Sequence, residues 1–210
     1  MTLKRITICL LALLPFLAAC VDTEAPSISI DPNKYAMDFN GGSLAVSVTA
    51  NCDWTVESDY ESYVATPSSG MLDGVSRIEI PASTSRETEA IVINFKASKT
   101  VRDTLKTKNA KLVITLEAKP FIELSSNGGY VSPDGGGVLI RLFSNQDWTS
   151  SVSNGIAGLA VKPSEGTFNS EVTVSLPENT TGTARSAEVT FSLKKYPDVK
   201  AVYTVRQNPK

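Results

Sequence analysis

Asn51-Cys52-Asp53-Trp54-Thr55 returns 94 positions later as Asn145-Gln146-Asp147-Trp148-Thr149. These two pentapeptides hold both tryptophans of the chain. Further along, Pro67-Ser68-Ser69-Gly70 recurs 96 positions on as Pro163-Ser164-Glu165-Gly166. A register that persists over most of a chain predicts a tandem repeat, here with small insertions in the loops. Any account of function must therefore explain two copies.

Apolar residues alternate with polar ones in both copies, and helix signals are almost absent. In copy one the alternating runs are Leu44/Val46/Val48, Ile78/Ile80, Ile91/Ile93/Phe95 and Leu112/Ile114/Leu116. Runs of period two, bounded by Gly, Pro, Asn and Ser, are typical of antiparallel strands. About seven such strands per copy fit an immunoglobulin-like sandwich better than a barrel. The sequence therefore predicts an all-β protein made of two tandem immunoglobulin-like β-sandwich domains.

The start of the chain is typical of a lipoprotein signal peptide. Lys4 and Arg5 precede an apolar run, and Leu17-Ala18-Ala19-Cys20 resembles the bacterial lipobox, in which the cysteine is lipidated and becomes the first residue. An ordinary signal peptide cut near Ala19 is the alternative. Acyl chains on Cys20 would anchor the protein in a membrane, at roughly 0.8 kcal/mol per buried methylene. We therefore expect an outer membrane lipoprotein of the cell envelope, exposed at the cell surface.

The chain divides into four predicted segments. Residues 1–19 are the signal peptide, 20–25 a tether, 26–119 the first sandwich and 120–210 the second. The linker between the sandwiches is short, which permits a hinge but not free tumbling. Without the signal peptide the chain has 18 basic and 22 acidic residues. This mildly acidic balance excludes nucleic acid as an expected partner.

Residue types needed for most catalysis are missing. The chain has no histidine, which removes Ser-His-Asp and Cys-His mechanisms and the commonest metal ligand. Cys52 alone remains after loss of the signal peptide and lipidation of Cys20, so a thiolate zinc site cannot form. The acidic stretch Asp53–Glu61 has no calcium-loop spacing. We therefore expect no catalytic residue, no metal site and no cofactor.

Four aromatic residues are candidates for stacking on a sugar ring. Trp54 and Trp148 recur at one register, which favours two core residues over two exposed platforms. Tyr60 and Tyr63 lie in a loop of copy one. The register against the proline turn pairs Tyr63 with Leu159, which indicates a core position. Tyr60 is then the ring expected to be free.

A basic segment distinguishes copy one, where about ten extra residues predict an extended hairpin. Its basic residues are Lys96, Lys99, Arg102, Lys106, Lys108 and Lys111. Such a strip could contact an anionic polysaccharide or lipopolysaccharide through its charge. The alternative is that the lysines keep edge strands from pairing with other chains. Asp103-Thr104-Leu105 also resembles a short O-glycosylation motif of exported Bacteroidetes proteins, with Thr104 as the acceptor.

Both copies resemble the BACON domain, the Bacteroidetes-associated carbohydrate-binding, often N-terminal module. The features that carry the resemblance are the Asn-x-Asp-Trp-Thr step, the Pro-Ser-x-Gly turn, an arginine opening the penultimate strand (Arg86, Arg185) and the ending Thr204-Val205-Arg206-Gln207-Asn208-Pro209. Copy two matches better, because copy one ends in Glu117-Ala118-Lys119. Ser62 and Gly158 stand where the family often has an aromatic residue. The resemblance implies an immunoglobulin-like sandwich, surface lipoproteins and carbohydrate binding.

Two functions follow as expectations. The first is a non-catalytic, lipid-anchored protein that binds a glycan of mucin or dietary origin, beside neighbouring surface proteins of glycan uptake. The second is a structural or adhesion spacer that mediates protein–protein contacts at the cell surface. The features found in copy one alone, the Tyr60 loop and the basic hairpin, are where the sequence suggests looking for the binding site.

Overall fold

The computed structural model describes residues 23–153 and 155–210. Every secondary-structure element within these residues is a β-strand. No helix in this part of the chain is long and apolar enough to cross a membrane. The predicted signal peptide and Cys20 lie outside the described residues, so the lipid anchor stays a prediction.

The strands between residues 28 and 116 form two sheets around one apolar cluster. In spatial order, the four-stranded sheet consists of β1 (Ile28–Asp31), β3 (Gly42–Ala50), β7 (Gly74–Ile80) and β5 (Val64–Thr66). The five-stranded sheet consists of β2 (Lys34–Met37), β9 (Thr104–Leu116), β8 (Glu89–Val101), β4 (Trp54–Ser58) and β6 (Ser69–Gly70). Alternate side chains of both sheets point into the shared cluster. We call this unit the first sandwich.

The strands between residues 122 and 207 repeat this arrangement. The four-stranded sheet consists of β10 (Ile122–Leu124), β12 (Gly136–Ser144), β16 (Ser170–Leu176) and β14 (Ala160–Lys162). The five-stranded sheet consists of β11 (Gly128–Val131), β18 (Lys200–Gln207), β17 (Arg185–Leu193), β13 (Asp147–Ser153) and β15 (Glu165–Thr167). A second apolar cluster fills the space between them. We call this unit the second sandwich, and the predicted all-β, sandwich fold is confirmed.

Each sandwich is built around its tryptophan. Trp54 is 2% exposed and Trp148 is fully buried. Each indole N–H donates to a backbone carbonyl just after the Pro-Ser-x-Gly turn, at 2.9 Å from Leu72 and 3.1 Å from Phe168. Satisfying the N–H in this way allows the whole ring to be buried. The core interpretation of both tryptophans is therefore confirmed.

The first residue of the repeated Asn-x-Asp-Trp step ties down the segment that enters each sandwich. The Asn51 side chain accepts from the Ser27 amide at 2.8 Å and donates to the Ala25 carbonyl at 2.9 Å. The Asn145 side chain accepts from the Phe121 amide at 3.1 Å and donates to the Lys119 carbonyl at 3.0 Å. These bonds satisfy backbone groups in a segment that pairs with no strand, which gives a physical reason for an asparagine at this position.

The predicted equivalence of Arg86 and Arg185 is wrong. Arg185 opens β17 opposite Gln207, whereas Glu89 opens β8 opposite Leu116. The structural counterpart of Arg185 is therefore Glu89, and Arg86 lies before the strand. Insertions change spacing along the chain, while the register of a sheet is set by strands far apart in sequence.

Candidate functional site

The rings predicted to stack on sugars are buried or partly buried. Trp54 and Trp148 lie inside the sandwiches and present no face to a ligand. Tyr60 and Tyr63 are both partly buried against the first core. The Tyr60 amide donates to the Ser58 hydroxyl at 3.1 Å, and this turn folds the ring back onto the core. The expectation that Tyr60 is free is therefore wrong.

The acidic loop of copy one is a solvated surface. Asp53, Glu57, Asp59 and Glu61 are all exposed. Over residues 23–153 and 155–210, no group of three or more His, Cys, Asp or Glu side chains is arranged to hold a metal ion. Cys52 is a free thiol, half-buried against the first core.

The basic segment forms the predicted hairpin, but its charges lie on two faces. Strands β8 and β9 pair from Glu89–Leu116 to Val101–Thr104, beyond the ends of their neighbours β4 and β2. Residues paired across the hairpin share a face, and successive residues alternate. Lys99, Lys106 and Lys108 therefore occupy one face, and Lys96 and Lys111 the other.

The turn of the hairpin carries the remaining residues of this segment. Arg102 and Asp103 have φ angles of 47° and 60°, as in the turns that suit two-residue hairpins. Thr104 is exposed beside Leu105, which is 66% exposed. Glycosylation of Thr104 and anion contact by the lysines both stay predictions.

One groove lies on the first sandwich and has no aromatic wall. It has a volume of about 400 Å³ and lies beside the edge strand β5. Its lining residues are Gly42, Ser43, Ser62, Val64, Glu79, Ile80 and Pro81. Without an aromatic ring, this groove offers no stacking surface to a sugar.

A smaller groove on the second sandwich combines an exposed ring with polar groups. Tyr130 on β11 pairs with Arg206 on β18, which in turn pairs with Ser186 on β17. The next row, Val131 and Gln207, points into the core. Since side chains alternate along a strand, Tyr130, Arg206 and Ser186 point outward together. We call this feature the Tyr130 groove.

The Tyr130 groove has a volume of about 260 Å³. Its lining residues are Tyr130, Ala184, Arg185, Ser186, Arg206, Gln207 and Asn208. Tyr130 is 68% exposed, the most exposed aromatic side chain of those described. The groove therefore offers an accessible ring face bordered by hydrogen-bonding side chains.

The floor of the Tyr130 groove is held by a buried amide. The Gln207 side chain is 1% exposed and donates to the carbonyls of Ser132 at 2.6 Å and Pro177 at 3.0 Å. Its oxygen accepts from Arg185 Nε at 2.8 Å, and the same guanidinium donates to the Pro177 carbonyl at 2.8 Å. A fully hydrogen-bonded buried network of this kind is rigid. The end of the chain therefore forms a fixed platform beneath Tyr130.

The polar groups at the rim of the Tyr130 groove remain available. In the part of the chain that the structure describes, the side chains of Tyr130, Ser186, Arg206 and Asn208 make no hydrogen bond or ion pair. A Cβ atom on Gly128 would lie 3.1 Å from Arg206 Nη1, so the glycine allows the guanidinium to lie close to β11. Hydroxyl, amide and guanidinium groups next to a ring are the chemistry that binds a sugar.

Two other exposed rings have poorer surroundings. Phe143 lines a groove with Arg141 and Glu171, but these two side chains already pair with each other at 3.5 Å. Tyr35 lines a groove whose charged member is Lys34. Neither groove combines an aromatic ring as exposed as Tyr130 with a guanidinium that lacks a partner.

Sequence reasoning missed the Tyr130 groove. Period-two alternation beside the buried Val131 would have predicted an outward Tyr130, because neighbouring residues of a strand face opposite ways. The partners Arg206 and Ser186 are distant in the sequence, and the parallel pairing of β11 with β18 brings them together. No local pattern carries that information.

The comparisons concern the first sandwich most directly. Residues 27–107 match the family model described as the viral BACON domain. The expectation was that copy two would match better, whereas the matched residues are those of copy one. No curated protein matches the sequence.

The solved structures that match the chain come from varied proteins. A Bacteroides ovatus GH5 xyloglucanase in complex with a XXXG heptasaccharide has a TM-score of 0.38 and 20% identity, over 42% of this chain and 19% of that chain. A protein of unknown function from Porphyromonas gingivalis W83 has a TM-score of 0.32 and 9% identity, over 86% of this chain and 99% of that chain. The human desmocollin-1 ectodomain has a TM-score of 0.49 and 11% identity, over 88% of this chain and 42% of that chain. The chain thus spans about a fifth of the xyloglucanase. The family match supports a BACON-type domain in the first sandwich.

Proposed function

We propose that the protein is a non-catalytic carbohydrate-binding protein of the cell envelope and that the Tyr130 groove binds the sugar. The observation that carries the proposal is the exposed Tyr130 ring in one row with the unpartnered side chains of Arg206 and Ser186. The BACON-type match of the first sandwich supports it, since resemblance to that family implies carbohydrate binding.

The geometry suits a pyranose lying on the tyrosine. The apolar face of the sugar would cover the ring, while its hydroxyl groups would meet the guanidinium of Arg206, the Ser186 hydroxyl and the Asn208 amide. The groove is smaller than the roughly 300–1,000 Å³ of typical ligand pockets. It therefore holds about one sugar ring, and the rest of a glycan lies outside it.

The sheet beside the groove can carry the rest of the glycan. Strands β13 and β17 turn most of their serines and threonines outward, and β18 adds one threonine to the same face. The outward hydroxyl residues are Thr149, Ser151, Ser153, Ser186, Thr190, Ser192 and Thr204. Each hydroxyl can both donate and accept a hydrogen bond, as sugar hydroxyls do. An oligosaccharide lying flat on this face matches its chemistry.

The proposal includes attachment to the membrane through Cys20, with a glycan of host mucin or dietary origin as the ligand. Proteins of glycan uptake at the same surface are the proposed neighbours. Metabolic labelling with a fatty acid tests the anchor, because a Cys20→Ala variant should lose both the label and sedimentation with membranes. Unchanged labelling of that variant would contradict the anchor at this residue.

Glycan binding by residues 21–210 tests the central proposal, on an array first and by calorimetry for the best ligand. Tyr130→Ala should weaken binding about tenfold or more, since losing the ring contact costs about 1.4 kcal/mol or more. Tyr130→Phe should keep most of the affinity, because it retains the ring face. Tyr35→Ala is the matched control, since Tyr35 is an exposed tyrosine on the equivalent short strand of the first sandwich. Equal affinity of Tyr130→Ala and wild type would refute the site.

A spacer or adhesion function is the second candidate, supported by contacts between the sandwiches. Arg86 donates two hydrogen bonds to the Glu123 carboxylate, at 2.5 and 3.1 Å, and its guanidinium lies 4.4 Å from the Phe121 ring centre. At a second point the Phe39 and Tyr196 rings meet edge to face, with centres 5.2 Å apart. Two separate contacts favour a semi-rigid rod. Cross-linked pull-down of one partner from intact cells, with no glycan affinity, would favour this candidate.

A further inference from the structure

We infer that the Tyr130 groove selects sugars that carry an acidic group, with Arg206 as the residue that recognises the acid. This inference rests on the proposed function, since it names the class of sugar for the same groove. The acidic group can be the carboxylate of a uronic acid or a sulfate ester, which share the chemistry that a guanidinium recognises.

The charge of the Tyr130 groove favours an acidic ligand. Its lining includes two arginines, Arg185 and Arg206, and no acidic residue. Arg185 is committed to Gln207 and to the carbonyls of Pro177 and Glu178. Arg206 is exposed and, within the described ranges, has neither an ion pair nor a hydrogen bond. The groove therefore has one guanidinium built into its floor and one available to a ligand.

The acidic residues that the structure describes around the groove make no ion pair with Arg206. Glu178 and Asp134 both pair with Lys210, at 2.7 and 2.9 Å, which offsets their charge. Glu188 lies on the same outward face as Arg206, opposite Thr204, and makes no ion pair with it. No carboxylate of the described chain therefore occupies the position that a ligand's acidic group would take.

Arg206 lies next to Tyr130 in the sheet. Tyr130 and Arg206 are paired residues on neighbouring strands, which lie about 4.8 Å apart. A sugar stacked on Tyr130 would therefore extend a ring substituent over the adjacent guanidinium. Arginine binds carboxylates and similar oxyanions through two parallel hydrogen bonds, and these are among the stronger polar contacts in proteins. A neutral hydroxyl group uses only part of that capacity.

The experiment compares ligands that differ only in charge. Residues 21–210 are titrated calorimetrically with oligogalacturonate, its neutral methyl ester, a sulfated galactan oligosaccharide and the unsulfated galactan. We expect at least one of the two acidic ligands to bind at least about tenfold more tightly than its neutral counterpart. The carboxylate and sulfate arms then distinguish the two sources of the acid.

Three variants assign the preference to Arg206. Arg206→Gln should remove the tenfold preference, because it lowers the affinity for the acidic ligand far more than the affinity for its neutral counterpart. Arg206→Lys keeps the charge without the paired hydrogen bonds, and should retain part of the preference. Arg141→Gln is the matched control, because Arg141 is an exposed arginine on the other sheet of the same sandwich.

The outcomes separate this inference from the proposed function. Equal binding of acidic and neutral ligands, still lost in Tyr130→Ala, would overturn the acidic preference and leave the sugar site intact. A preference that survives Arg206→Gln would overturn the role of Arg206. Binding of no sugar at all would overturn both.

Discussion

The glycine of each Pro-Ser-x-Gly turn lies against the tryptophan of its sandwich, and replacing it with alanine should destabilise that sandwich. A Cβ atom on Gly70 would contact Trp54 Cζ2 and lie 2.7 Å from Cε2. On Gly166 the corresponding atom would lie 2.8 Å from Trp148 Cζ2 and 3.0 Å from Cε2. Both separations are below van der Waals contact, and neither indole can move, because its N–H is bonded to the backbone.

The size of the effect follows from two opposing contributions. Adding a carbon to a well-packed core costs about 1–3 kcal/mol. Replacing glycine within a strand recovers roughly 0.5–1 kcal/mol of backbone entropy. Gly70→Ala has the closer contact, so we expect a net loss of about 1–2 kcal/mol. For Gly166→Ala we expect about 0.5–1.5 kcal/mol, by the same two contributions.

Urea unfolding followed by tryptophan fluorescence measures both losses, since each core holds one tryptophan. In a thermal scan, 1 kcal/mol corresponds to about 4–8 °C for a domain of this size. Gly155→Ala is the control, because its Cβ atom would lie 3.9 Å from Val152, an ordinary contact. The reasoning is refuted if Gly70→Ala unfolds at the wild-type urea concentration, or if Gly155→Ala loses as much stability.

Two further predictions concern a buried phenol and the contact between the sandwiches. The Tyr203 hydroxyl is buried and has no hydrogen-bond partner in the described chain, so Tyr203→Phe should preserve the free energy of unfolding or raise it by up to about 1 kcal/mol. Burial raises the pKa of this phenol, so the unfolded chain ionises at a lower pH than the folded protein does. The stability present below pH about 10 is therefore lost at higher pH. Tyr203→Phe, which lacks the hydroxyl, should lose less stability over the same range. Circular dichroism melts at pH 8 and 11 measure this difference, and equal losses in both proteins would contradict it. Arg86→Ala should leave the melting temperature nearly unchanged, because the ion pair that it breaks is exposed. Since that pair joins the two sandwiches, its loss should broaden the distribution of distances between them in small-angle X-ray scattering. The hydrogen bond from Arg86 lowers the pKa of Glu123 in the folded protein. The contact therefore persists above pH about 4.3, the ordinary pKa of a glutamate, and weakens as the pH falls through the lowered pKa. Identical scattering curves at pH 7 for wild type and Arg86→Ala would count against this contact.

The strands were predictable because their pattern is local. Alternation in runs such as Leu44/Val46/Val48 identifies both the strand and its buried face, and those residues are buried. The hairpin between Lys96 and Lys111 was predictable from the extra length of copy one. The division of its lysines between two faces follows from the register of β8 and β9, which depends on where the turn falls.

Side-chain exposure in loops was less predictable. Tyr60 lies in a polar, acidic stretch that suggests solvent, yet the turn after β4 folds its ring onto the core. Arg86 looked equivalent to Arg185, yet the two lie at different registers and do different work. Arg185 supports the Gln207 platform, while Arg86 reaches Glu123 of the second sandwich.

Local sequence patterns account for the two cores of this protein. The repeated Asn-x-Asp-Trp step and the Pro-Ser-x-Gly turn are short-range patterns, and each sandwich packs one tryptophan against one glycine and holds its first segment with one asparagine. The position of the proposed binding groove depends instead on the tertiary structure. A parallel pairing between β11 and β18 joins Tyr130 to Arg206, and no spacing along the chain encodes that contact. Burial follows from local alternation, whereas a binding surface depends on which distant strands become neighbours.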